Sequence, residues 1–151
     1  MLKIGTAEYF ESLERFRRHL PSGKDAELLI LKGHLLVETL LERYLRQNLP
    51  HPDALADARL SFAQKLAFVS SLRSDPDEGW LWDSIRLLNR LRNELAHHID
   101  SQRYDLIFRQ FIDAVEASPE LPVPEPPSEI HERLHRALFS VHEAMSHRVD
   151  L

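Results

Sequence analysis

From about Lys24 to Asn48 the chain carries its longest uninterrupted helical pattern. Leu28, Leu31, Leu35, Val37, Leu41 and Leu45 recur near helical spacing, and Leu29, Ile30, Leu36 and Leu40 widen the apolar arc well beyond one stripe. A helix apolar over so much of its girth must be buried on more than one side. That predicts a central bundle helix, a dimer surface, or both. Glu38 lies inside this segment, with His34 one turn before it and Glu42 one turn after. A carboxylate left unpaired away from water costs several kcal/mol, so Glu38 needs a partner or belongs to a surface row with Glu42 and Arg46.

The flanking segments read as shorter helices and breaks. Thr6 is placed to cap a first helix whose stripe is Tyr9, Phe10, Leu13, Phe16 and Leu20, with Arg15, Arg17 and Arg18 beside it. Those arginines form either a phosphate-contacting edge or a solvated face. Pro21-Ser22-Gly23 breaks the chain, and Asn48-Leu49-Pro50-His51-Pro52 ends the long helix because proline removes a donor and restricts its predecessor. A short turn is expected over Asp53 to Arg59, then a helix capped by Ser61 with Phe62, Leu66, Phe68, Val69 and Leu72. After the break at 74–79, Trp80 and Trp82 open the next helix as core anchors or dimer contacts rather than base-stacking platforms.

That next helix carries the chemistry. At about 100° per residue, Leu88, Leu91 and Leu95 fall on one side, while Arg86, Arg90, Asn93 and His97 gather on the other. Histidine exchanges protons near neutral pH, and the arginine fork matches a phosphate or carboxylate. Arg92 and His97 point roughly 140° apart on an ideal helix. Asn93 sits one turn before His97, beside it, where it can orient the ring or hold a ligand oxygen. The plainer account of Arg92 and His97 is a structural salt-bridge set. His98, on a more apolar flank, reads as a packing or capping residue.

Arg92-Asn93-Glu94-Leu95-Ala96-His97 resembles the R-x-x-x-x-H motif of the HEPN superfamily of small all-helical domains, over about residues 24 to 115. The resemblance implies an antiparallel helical bundle, usually dimeric, with two motifs meeting across a two-fold axis. Many members are metal-independent RNases acting as toxins or defence effectors, and others are non-catalytic nucleotide-binding or assembly modules. It implies His97 as acid or base, Arg92 on the scissile phosphate, Asn93 positioning, and Glu38 orienting Arg92. Arg86 and Arg90 complete a local basic cleft for RNA.

A helix from near Asp100 or Ser101 carries Tyr104, Leu106, Ile107, Phe108, Phe111, Ile112 and Val115. The Pro-rich stretch 119–127 cannot continue a helix and sets the clearest boundary, dividing a bundle over 1–118 from a last helix over 128–151. Capped by Ser128, that helix has a stripe of Ile130, Leu134, Ala137, Leu138, Val141 and Met145, which needs the bundle or a second subunit to dock on. His131, His135 and His142 share one face of it, but no further ligand at diagnostic spacing completes a metal site. No metal or cofactor is therefore expected.

The absence of cysteine excludes disulfides and thiolate chemistry, and there is no phosphate-binding Gly-rich loop, nucleophile elbow or H-E-x-x-H helix. A net charge of -5 argues against nonspecific coating of nucleic acid but leaves room for a local basic cleft. With no signal peptide and no membrane-spanning run, the cytoplasm is the expected compartment. Together with the helical pattern, the resemblance implies an all-α homodimer acting on RNA as a metal-independent endoribonuclease, with an antitoxin or regulatory protein as a further partner. The alternative is a non-catalytic dimerisation, nucleotide-binding or regulatory module of the same fold.

Overall fold

A computed structural model describes residues 6–19, 25–73, 75–97, 102–119 and 129–149. Among these the chain forms an all-α bundle of six helices: α1 Ala7–His19, α2 Ala26–Asn48, α3 Phe62–Leu72, α4 Gly79–His97, α5 Gln102–Glu116 and α6 Ile130–Arg148. Short 3-10 turns at Pro52–Leu55 and Pro76–Glu78 precede α3 and α4. Leu20, the break at Pro21-Ser22-Gly23, Ser74, His98, Asp100, Ser101, the Pro-rich stretch from 120 and Ser128 lie outside the described residues.

The helix starts follow local chemistry. Asp25 caps α2 by accepting from the Leu28 amide, and Thr6 accepts from the Tyr9 amide at α1. Ser61 and Gln64 form a reciprocal capping box at α3. No described helix is long and apolar enough to cross a membrane.

α2 is the central element, packed against α6, α3 and α4. Its buried line is Leu29, Ile30, Val37, Leu40, Leu41, Tyr44 and Leu45. Leu28, Leu31 and Leu35, expected at the heart of the stripe, are instead exposed, Leu31 at 45% and Leu35 at 57%. The reason is where the neighbours sit. α6 comes so close at Gly33 that a Cβ there would lie 2.7 Å from a Leu138 methyl, while α3 and α4 close over His34. The arc bearing Leu28, Leu31 and Leu35 is left bare. Phe10, Phe68, Leu72, Leu106 and Ile130 likewise belong to predicted stripes but are exposed.

The contacts His34 with Phe62, Glu38 with Lys65 and Tyr44 with Arg73 advance together along both segments, so α2 and α3 run in the same direction. The neighbours are therefore not all antiparallel. Residues 49–61 are long enough to run back along α2 before α3 begins, since an extended chain covers about 3.3 Å per residue.

α6 docks within the same chain: Leu134, Ala137, Leu138, Val141 and Met145 are buried against α2, α4 and α5. On its α1 side, His135 and His142 pack around Phe16, which also meets Phe139 edge-on. Among the described residues no group of three His, Asp or Glu side chains is arranged to hold a metal ion. Trp82 is buried in the core and Trp80 packs partly against it. One end of the bundle is pinned by Glu78, which is 1% exposed and accepts from Arg73 at the end of α3 and from Arg148 at the end of α6, the latter at 2.8 Å.

Candidate functional site

The alternating chemistry of α4 is realised in space. Leu88 and Leu91 are fully buried and Leu95 half-buried, whereas Arg86, Arg90, Arg92, Asn93 and His97 are exposed. Burying the two leucines stabilises α4 by about 1.5–3 kcal/mol each, and it fixes which way the polar side chains point. Arg86 is paired locally with Asp83 at 2.7 Å, both well exposed, so its charge is partly neutralised. Glu94, inside the motif, pairs with Arg103 of α5 at 3.0 Å and ties the end of α4 to its neighbour.

The motif divides between two directions. Asn93 and His97 stand on the outer stripe with Arg86 and Arg90, one helical turn apart from one another. Arg92 lies on a different arc, one turn beyond Asn89, and its charge bears on His34. A single copy of α4 therefore separates Arg92 from His97 by the roughly 140° that the helix repeat dictates.

His34 and Asn89 are the site residues that sequence reasoning missed. The His34 Nε2 lies 3.0 Å from the Asn89 Oδ1; because that oxygen accepts, the ring proton sits on Nε2. The imidazole stacks on Phe62, with centroids 4.1 Å apart and planes 25° from parallel. Burial pushes its pKa below the ordinary 6.5. The hydrogen bond to Asn89 and the Glu38 carboxylate oppose that shift, and the Arg92 and Lys65 cations reinforce it. His34 is consequently a neutral group near pH 7. The only sequence hint was its position one turn before Glu38; its partner is 55 residues away.

Glu38 has a different partner from the one expected. Its carboxylate is 3.4 Å from Lys65 of α3, which also binds Glu42 at 2.7 Å, and among the described residues no ion pair joins Glu38 to Arg92. The parallel run of α3 along α2 delivers Lys65 between the two glutamates. Desolvation works against the charged form of Lys65, but the paired carboxylates prevail and raise its pKa. Among the described residues Arg92 forms no ion pair with a carboxylate.

Taken together, α2, α3 and α4 bring His34, Asn89, Arg92, Glu38 and Lys65 into one region, flanked by the bare leucines of α2. The arrangement offers a cation, a buried neutral imidazole and an amide next to an apolar surface. The outer stripe of α4 offers a second histidine and two more arginines. No family model, curated protein or solved structure matches this chain, which leaves the residues themselves as the ground for a function.

Proposed function

We propose that the protein is a metal-independent endoribonuclease that works as a homodimer, in keeping with its resemblance to HEPN domains. The observation that carries this reading is the exposure of Arg92, Asn93 and His97 together at one end of α4, with no ion pair from Arg92 to a carboxylate among the described residues. Arg92 binds the scissile phosphate and stabilises charge on the phosphorane. His97 of one copy takes the proton from the ribose 2′-hydroxyl, which attacks the phosphorus; His97 of the other protonates the departing 5′-oxygen. The products are a 2′,3′-cyclic phosphate and a 5′-hydroxyl. Acid-base help of this kind contributes about 10² to 10⁴ in rate.

Asn93 positions His97 or a phosphate oxygen, Arg86 and Arg90 hold the flanking backbone, and Glu38, paired with Lys65, takes no direct part. One histidine cannot be base and acid in a single step, and one copy separates Arg92 from His97. The reading therefore requires two copies, and the exposed row Leu28, Leu31 and Leu35 supplies an apolar surface for them to share. A toxin or phage-defence setting, with an antitoxin or regulatory partner, follows from the resemblance.

The second reading is a non-catalytic dimerisation, nucleotide-binding or regulatory module. It is favoured by the divergence of Arg92 and His97 within one chain. Incubation of a labelled RNA pool with the protein in excess EDTA separates the two, because only the nuclease leaves cyclic-phosphate ends.

A further inference from the structure

Residues 52–60 double back along the C-terminal half of α2 and form with it an open cleft of about 240 Å³, whose rim shares only Lys65 with the cluster described above. Its floor is apolar: Leu45 is buried, and Leu49, Leu55 and Leu60 are half-buried around it. Its rim is charged. Lys65 and Glu42 neutralise each other at 2.7 Å, leaving Arg46 and Arg59 against the single carboxylate of Asp53. Among the described residues neither Arg46 nor Arg59 forms an ion pair.

Arg59 adds an independent observation. Its φ is +49°, in the left-handed region that costs a residue with a Cβ and that glycine enters freely. The chain holds a strained arginine at the mouth of a cleft, where a glycine would make the same turn with less cost.

We propose that this cleft binds a small monocarboxylate with an apolar body. The cleft is open to solvent, so its 240 Å³ sets a scale rather than a limit, and an occupant on the order of eight non-hydrogen atoms fits on the leucine floor. Its hydrocarbon part lies on the leucine floor, and its carboxylate is held by the forks of Arg46 and Arg59. The site is independent of whether the α4 face cleaves RNA.

The test is an amide-detected NMR titration of the full chain with hexanoate, beside hexanol and inorganic phosphate. Hexanoate is expected to shift Leu49, Leu55 and Leu60 saturably, with a dissociation constant on the order of 0.1–1 mM for a ligand of this size. Arg46→Gln and Arg59→Gly should each weaken it about tenfold or more, the loss of one charge-assisted contact. Arg59→Gly should at the same time leave the melting temperature unchanged or raise it, which a merely structural arginine would not do. No saturable response, equal binding of hexanol, equal binding of phosphate, or hexanoate binding unaltered in both variants would each overturn the proposal.

Discussion

Replacing Glu78 by alanine probes the joint that holds α4 in place. The carboxylate is 1% exposed and is the shared acceptor of Arg73 and Arg148, so its removal takes the counter-charge from two guanidinium groups at once. Breaking a buried ion pair from one side costs about 3–5 kcal/mol. Arg73 and Arg148 retain 25% and 12% side-chain exposure, and Arg148 keeps its 2.7 Å bond to the Ala144 carbonyl. Both can partly rehydrate, which places the expected loss at the lower end, about 3 kcal/mol. For a chain of this length that corresponds to a fall in Tm of about 6–12 °C. Glu78→Gln, which keeps an acceptor but not the charge, should fall between the two. Urea unfolding followed by far-UV circular dichroism measures both. A loss under about 1 kcal/mol for Glu78→Ala, the range of an exposed pair, would refute the picture of a buried clamp. α4 rises about 1.5 Å per residue over its 19 residues, so the motif end is about 28 Å away and its chemistry per folded molecule should be unchanged.

Other outcomes follow from the same geometry. His34 is held below its ordinary pKa, so the unfolded chain binds a proton near pH 6.5 that the folded chain refuses. Stability should therefore decline as pH falls below 6.5 until the folded ring itself titrates, and His34→Gln should remove that part of the slope between urea midpoints at pH 7.5 and 5.5. Ser61→Ala, which breaks the α3 capping box, should cost about 1 kcal/mol in the same unfolding assay. Leu31→Glu or Leu35→Glu places a charge on the bare row of α2; sedimentation velocity should show a monomer that remains helical.

How much of this was legible depended on whether the deciding contact was local. The two faces of α4 were readable because Leu88 and Leu91 alternate with Arg86, Arg90 and Asn93 at one helical period, and periodicity alone decides which side is apolar. The same reasoning applied to α2 identified the helix but not its buried arc. With leucines at 28, 29, 31, 35, 36, 40 and 41, several arcs are equally apolar, and the choice fell to the positions of α3, α4 and α6. Glu38 was recognisable as a carboxylate needing a partner. Its actual partner required α3 to run alongside α2, a direction set by how residues 49–61 return, and no spacing encodes it. His34 with Asn89, and Glu78 with Arg73 and Arg148, join groups that come together only after several helices pack.

The most direct test of the central claim is cleavage of an end-labelled RNA pool in excess EDTA. Wild type is compared with Arg92→Ala and His97→Ala proteins shown by circular dichroism and sedimentation to be folded and of unchanged oligomeric state. The account predicts 2′,3′-cyclic-phosphate ends with wild type, and a rate at least about 10²-fold lower with each variant, the scale of a lost general acid-base group or phosphate cation. Equal inertness of all three proteins on varied RNAs, or equal cleavage by all three, would contradict it.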